Sequence, residues 1–203
     1  MTLHSIAERW RIHISRIIAF IFIIFILFTS SKWESISFVS SVFFLVGCTL
    51  VGIASMGRLW CSLYIAGYKN SFLVTLGPYS VSRNPLYFFS MIGGVGVGFT
   101  TETVLIPAAI LILFIIYYPF VIRDEERRLF NLHDEAFEWY RDKTPIFIPK
   151  LSLLNEPDTY TVNPKIFRKN IFGALWFVWL VGILEVIEEL HEMNIIPTYF
   201  NIY

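Results

Sequence analysis

Residues 103–122 read TVLIPAAILILFIIYYPFVI, twenty positions in a row without a charged side chain. A helix rises about 1.5 Å per residue, so this stretch would cover about 30 Å, the thickness of the hydrocarbon core of a bilayer. The next residues, 123–129, read RDEERRL and end the apolar run abruptly. The stretch therefore predicts a transmembrane helix that leaves the membrane at Arg123.

Four further apolar runs flank this span. Ile36–Ser55 is long enough to cross a bilayer, and Leu86–Thr100 is shorter and glycine-rich, which favours the short arm of a helical hairpin with residues 103–122. Ile14–Phe28 is followed by no small-residue cleavage site, so we interpret it as a retained first helix. Asn170–Leu190 is the last candidate. The pattern predicts an all-α, polytopic transmembrane helical bundle of about five spans.

The composition agrees with a protein that is surrounded by lipid. Of the 203 residues, 56% are hydrophobic, 18% aromatic and only 16% charged, which is too apolar for a fully solvated surface. Sixteen basic and sixteen acidic residues cancel, so the basic face that nucleic-acid binding needs is not expected. Cys48 and Cys61 are expected to be free thiols, and no metal site is predicted.

The basic residues are predicted to lie on one side of the membrane. If the N-terminus is cytosolic, the Lys and Arg residues of segments 57–85 and 123–169 face the cytosol, and Lys32 alone lies outside. The outer end then carries the acidic residues between Glu185 and Glu192. We therefore predict an integral protein of the inner, cytoplasmic membrane with a cytosolic N-terminus, an outer C-terminus and cofactor-binding segments in the cytosol.

Short motifs lie in these two cytosolic segments. Residues 73–87 read LVTLGPYSVSRNPLY, residues 125–129 read EERRL, residues 137–140 read FEWY, and residues 147–149 read FIP. In this order and spacing they resemble the isoprenylcysteine carboxyl methyltransferase and phospholipid methyltransferase superfamily, which shows LVTxGxY, Arg-His-Pro-x-Tyr, EExxL and a late Ile-Pro. The resemblance covers residues 40–150.

The resemblance implies both an organisation and a function. Residues 40–150 would form a methyltransferase-like core within a single membrane domain of residues 1–203. Residues 151–203 would be a C-terminal extension with a final transmembrane helix. The implied activity is transfer of a methyl group from S-adenosylmethionine to a lipophilic small molecule, a lipid-linked acceptor or a membrane lipid.

The resemblance also assigns roles to individual positions. Asn84 stands where the superfamily has histidine, and asparagine can hold a cofactor by hydrogen bonds but does not titrate near pH 7. Val121 stands where the carboxyl methyltransferases have a substrate-binding arginine, so isoprenylcysteine itself is not the expected acceptor. The candidate catalytic residues are Arg83, Arg123 and Glu126. The candidate cofactor-binding residues are Leu73, Val74, Tyr79, Asn84, Pro85, Leu86, Tyr87 and Glu125.

Helix geometry selects Glu125 as well. On a continuous helix it would share one face, at steps of three and four residues, with Leu129, Leu132, Ala136 and Tyr140. A carboxylate on such an apolar face needs a partner, and we expect the cofactor to be that partner. Glu126 lies 100° further round the helix and is expected to be less involved.

Two interpretations of the glycines in the short hairpin arm stay open. Gly93, Gly94, Gly96 and Gly98 would let a backbone approach the adenosine, as a similar glycine motif is thought to do in phospholipid methyltransferases. Close packing of two helices explains them equally well. The spacing Gly94-x-x-x-Gly98 favours packing.

The function also has alternatives at this point. Oxygen, nitrogen and sulfur acceptors all fit, and the lack of a histidine in the motifs favours a carboxylate, which is ionised at pH 7 and needs no base. A nicotinamide-dependent membrane reductase of steroid-reductase-like fold is a second possibility, because such proteins resemble this superfamily in helix arrangement. A non-catalytic membrane subunit is a third.

Overall fold

The structure, a computed structural model, describes residues 29–30, 37–66, 72–193, 195–197 and 200–201. The predicted first span, Ile14–Phe28, lies outside the described residues. Two short strands, β1 (Thr29–Ser30) and β2 (Phe200–Asn201), pair in parallel. The helices of the described part are α1 (Ser37–Ile65), α2 (Pro78–Val81), α3 (Pro85–Phe99), α4 (Leu105–Lys143), a 3-10 helix (Leu151–Leu153) and α5 (Pro164–Glu192).

In the part of the chain that the structure describes, three helices, α1, α4 and α5, are long and apolar enough to cross a membrane. The shorter α3 packs against α1 and α4, so α3 and α4 form the predicted hairpin. The prediction of a helical transmembrane bundle is confirmed. The helices extend beyond the predicted spans: α1 continues past Ser55 to Ile65, α4 continues past Ile122 to Lys143, and α5 begins at Pro164.

Helix α1 continues past Gly57, where the predicted cytosolic segment 57–85 begins. The absence of a side chain there lets the ring of Phe89 lie against α1, since a Cβ at Gly57 would be 2.2 Å from that ring. The neighbouring Arg58 turns inward and donates to the hydroxyl of Ser90 and, at 2.8 Å, to the carbonyl of Gly173. These contacts from α3 and α5 support α1 beyond the predicted boundary.

Glycines bring α3 close to its neighbours. A Cβ at Gly96 would lie 2.9 Å from the carbonyl oxygen of Gly47 in α1, and one at Gly98 would lie 2.8 Å from the Cα of Pro107 in α4. Distances this short leave no room for a side chain. These contacts support the packing interpretation of the glycines.

The long helix α4 bends at Asp134, whose φ of 43° lies in the left-handed region. Beyond the bend Phe137 and Tyr140 are buried, whereas Leu132 before it is 50% exposed. A single helical period cannot continue through such a residue. The predicted apolar face from Glu125 through Leu132 to Tyr140 is therefore wrong.

The two cysteines lie on α1. Cys48 and Cys61 are both free thiols, as predicted. They are about 20 Å apart along the helix, by the rise per residue, which is too far for a disulfide.

Candidate functional site

The loop before α3 and the segment after α4 lie against each other at one end of the bundle. The amide of Gly77 donates to the carbonyl of Asn155 at 2.8 Å, and the amide of Lys150 donates to the carbonyl of Val81 at 2.9 Å. The two motif-bearing segments therefore share one end of the bundle, as their predicted common side of the membrane requires.

Arg83 connects three parts of this end. Its Nε lies 2.7 Å from a carboxylate oxygen of Glu126, and its Nη1 donates to the carbonyls of Arg141 at 2.5 Å and Thr144 at 2.9 Å. The side chains of Arg83 and Glu126 are only 10% and 18% exposed. Glu125 is 25% exposed, so Glu126 is the more buried of the two glutamates, contrary to the prediction from helix geometry.

Asn84, at the superfamily's histidine position, is buried. Its side-chain amide donates to the carbonyl of Ile146 at 3.0 Å, and its backbone amide donates to the hydroxyl of Ser82 at 3.2 Å. Ser82 in turn donates to the carbonyl of Phe147 at 2.9 Å. Asn84 thus joins the loop to the segment after α4, directly before the buried Pro85 that begins α3.

Tyr79 interacts electrostatically with both Tyr87 and Glu125. The hydroxyl of Tyr140 donates to the backbone carbonyl of Tyr79 at 2.6 Å. Burial raises the pKa of the Tyr79 phenol well above its ordinary value, and the nearby Cys61, Tyr140, Tyr87 and Glu125 raise it further. The Tyr79 hydroxyl therefore stays protonated and can donate a hydrogen bond at neutral pH.

Glu125 forms an ion pair with Arg128, one turn further along α4. Their side chains are 25% and 23% exposed, so a ligand can reach the pair. The Nε of Arg128 is buried and has no hydrogen-bond partner among the described residues. A carboxylate beside a guanidinium that has an unsatisfied donor fits a ligand group that carries both an ammonium and a carboxylate.

The remaining predicted residues lie elsewhere. Leu73 and Val74 line a cleft of about 380 Å³ together with residues 159–161 of the C-terminal extension. Leu86 lines a second cavity, of about 440 Å³, between α1, α3 and α5. Arg123 is exposed on α4. Within the described ranges, no group of three or more His, Cys, Asp or Glu side chains is arranged to hold a metal ion.

Three residues of this region were not predicted as site residues. Tyr140 belongs to the FEWY motif but was given no role, and Arg128 and Arg58 were not selected. The partners of Arg58, Ser90 and Gly173, lie 32 and 115 positions away in sequence. No local sequence pattern predicts contacts over such separations, so these partners are seen only in the packed structure.

Comparison with known proteins adds independent information. A family model described as phospholipid methyltransferase matches residues 37–135. The cobalt-zinc-cadmium resistance protein CzcN of Cupriavidus metallidurans is 37% identical over 194 residues, which cover 96% of this chain and 89% of that protein. The nickel-cobalt-cadmium resistance protein NccN of Alcaligenes xylosoxydans xylosoxydans is 36% identical over 197 residues, covering 97% and 92%. No solved structure gives a significant match.

Proposed function

The chain belongs to the phospholipid methyltransferase family, within the isoprenylcysteine carboxyl methyltransferase superfamily, and we propose that it transfers a methyl group from S-adenosylmethionine to a lipophilic, membrane-associated acceptor. The observation that carries this proposal is that Tyr79 interacts electrostatically with both Tyr87 and Glu125, at the end of the bundle where hydrogen bonds join the loop before α3 to the segment after α4. Each of these three residues comes from a different motif, LVTLGPY, RNPLY and EERRL. Motifs that are separate in sequence and meet in space are typical of a binding site.

We assign the binding of the cofactor to these residues and their neighbours. Arg128 would donate to the carboxylate of S-adenosylmethionine, and Glu125 would accept from its ammonium group. Tyr79 and Tyr87 would offer hydroxyl groups and ring faces to the ribose and the adenine. When bound, S-adenosylmethionine supplies a methyl group on a positively charged sulfur, which is already an activated leaving group.

The chain's own contribution would be to position the reactants and exclude water. Arg83, Glu126 and Asn84 hold the loop and the segment after α4 in place, and we assign them this supporting role. Because Asn84 cannot act as a titrating base, an acceptor that is already deprotonated suits the site best. A carboxylate meets this condition at pH 7, whereas an amine or a thiol must first lose a proton.

The two relatives are named for resistance to metals. We propose that this chain also takes part in resistance to metals. The methylated acceptor would then be a membrane component of a metal-resistance response. In a strain that lacks the protein, growth in cadmium should be restored by the wild-type chain and not by Glu125→Gln. If the wild-type chain and the Glu125→Gln variant restored growth equally, any role in resistance would not depend on methyl transfer.

A direct binding measurement tests the central claim. Titration calorimetry of the purified chain in detergent should detect S-adenosylmethionine, with a dissociation constant in the range of about 1 μM to 1 mM that is usual for enzyme substrates. NADPH should give no heat of binding. Binding of NADPH alone would support the membrane reductase, and binding of neither ligand would support a non-catalytic subunit.

A further inference from the structure

The cavity between α1, α3 and α5 has a lining of mixed character. It encloses about 440 Å³. Its lining combines apolar side chains with polar and cationic ones, which suits a polar group attached to a hydrocarbon chain. The lining residues that matter here are Leu86, Ile166, Arg58, Ser62, Lys169 and Asn170.

This cavity lies near the end of the bundle that carries the motifs. The amide of Asn163, just before α5, donates to the carbonyl of Ala66, just after α1, at 3.4 Å. By the helix rise, Arg58 lies about 10 Å from that end of α1 and Lys169 about 8 Å from that end of α5. Both cations also lie within three residues of the predicted spans Ile36–Ser55 and Asn170–Leu190, which puts them at the predicted level of the lipid head groups.

Within the described part of the chain, the hydrogen-bond and ring partners of Arg58 are all neutral. It donates to Ser90 and to the carbonyl of Gly173, and its guanidinium carbon lies 5.4 Å from the ring centroid of Phe177. Its Nε is buried without a hydrogen-bond partner in the same part of the chain, where no carboxylate forms an ion pair with it. A charge removed from water is costly unless an anion compensates it. Lys169 adds a second positive charge to the same cavity.

Space and position both favour a ligand here. A Cβ built at Gly173 would meet no atom within 4 Å, so the wall is open at this point. Electrostatic interaction links Arg58 with Tyr79. Leu86 lines the cavity and directly precedes Tyr87. A group bound by Arg58 would therefore lie at the same end of the bundle as the residues assigned to the methyl donor.

We propose that this cavity binds the anionic head group, a carboxylate or a phosphate, of an amphiphile whose hydrocarbon chain extends into the bilayer. Arg58 and Lys169 would supply charge-assisted hydrogen bonds, and Asn170 a neutral one. Lys169 and Asn170 lie outside residues 37–135, so the C-terminal extension would add a specificity determinant to the methyltransferase core. Only the identification of this amphiphile as the methyl acceptor rests on the proposed function.

Binding of the head group is measured without the cofactor. The full chain in a neutral detergent is titrated with dodecyl phosphate, dodecanol and inorganic phosphate. We expect dodecyl phosphate to bind at least about tenfold more tightly than either of the others, because it alone satisfies both the cations and the apolar wall. Equal affinity for dodecyl phosphate and dodecanol would overturn the anionic site. Equal affinity for dodecyl phosphate and inorganic phosphate would assign the cavity to free anions and overturn the amphiphile.

Matched variants on α5 locate the site. Lys169→Gln should weaken dodecyl phosphate binding about tenfold, whereas Lys165→Gln, which changes a lysine outside the cavity, should not. Gly173→Leu should fill the cavity and abolish binding. Gly182→Leu, where a Cβ also meets open space, should leave binding unchanged.

Equal losses of dodecyl phosphate binding in the two lysine variants, or in the two glycine variants, would overturn the assignment to this cavity. Each variant is first shown to unfold at the wild-type temperature, and its affinity for S-adenosylmethionine is measured on the same sample. Normal cofactor binding with lost dodecyl phosphate binding supports the cavity separately from the methyl-donor site. Failure of the wild-type chain to bind the cofactor, with dodecyl phosphate still bound, would refute the proposed function and leave the cavity supported.

Discussion

Arg83 and Glu126, 43 positions apart in sequence, form an ion pair of 2.7 Å that joins the loop before α3 to α4. The same guanidinium donates to the carbonyls of Arg141 and Thr144 near the end of α4. These hydrogen bonds occupy the arginine within the protein. We therefore expect the pair to maintain the shape of the site rather than to contact the acceptor.

Removing the charge of Arg83 should destabilise the protein. Arg83→Met keeps the apolar stem but leaves Glu126 partly buried without its partner, so the free energy of unfolding should fall by about 2–4 kcal/mol. Unfolding in detergent, followed by circular dichroism, measures this change. Arg123→Met is the control, because Arg123 is exposed. If both variants were equally stable, the ion pair would make no contribution to the free energy of unfolding.

The two adjacent glutamates should differ in what they affect. Glu125→Gln removes the acid of the Glu125–Arg128 pair and should weaken S-adenosylmethionine binding about tenfold to a hundredfold, with little loss of stability. Glu126→Gln should instead lower stability, because Arg83 loses its anion. Calorimetry and thermal unfolding on the same samples separate the two effects. Wild-type affinity in a folded Glu125→Gln variant would remove Glu125 from the site.

The packing of α3 predicts a contrast between two glycines. A Cβ at Gly98 would lie 2.8 Å from the Cα of Pro107, so Gly98→Ala should push α3 from α4 and cost about 1–3 kcal/mol. Gly52→Ala meets no atom within 4 Å and should be neutral or stabilising by up to about 1 kcal/mol through helix propensity. Melting temperatures in detergent test the contrast. Equal effects at both sites would contradict the packing interpretation.

The side of the membrane on which the motifs lie can be tested by thiol labelling. In a background with Cys48 and Cys61 replaced by alanine, a cysteine introduced by Asp142→Cys should react with an impermeant reagent only after the cells are permeabilised. A cysteine introduced by Thr101→Cys, in the turn between α3 and α4, should react in intact cells. The reverse pattern would invert the predicted orientation.

The chemical class of the acceptor should appear in the pH dependence of the rate. With a carboxylate acceptor, methyl transfer to a membrane extract should be nearly constant between pH 7 and 9, because the acceptor is already ionised. Tyr79 should add no slope in this range, since its raised pKa keeps the phenol protonated. A tenfold rise in rate per pH unit, measured with radiolabelled cofactor, would indicate an amine or a thiol instead.

Local sequence was sufficient for the membrane spans and the superfamily. A bilayer selects for hydropathy summed over about twenty consecutive residues, and the runs at Thr103–Ile122 and Asn170–Leu190 satisfy this condition without reference to the rest of the chain. The order of the LVTLGPY, RNPLY and EERRL motifs is likewise a property of the linear sequence, and it identified the superfamily that the comparison confirms.

Tertiary structure decided which side chains those segments bring together. Glu126 is more buried than Glu125 because Arg83 reaches it from a distant loop, and the predicted apolar face of α4 is interrupted because one residue, Asp134, has a positive φ. Arg58 turns into the bundle because Ser90 offers it an acceptor from another helix. Helical periodicity relates residues only to neighbours three and four positions away. It therefore predicts neither the bend at Asp134 nor contacts that form only when separate helices pack together.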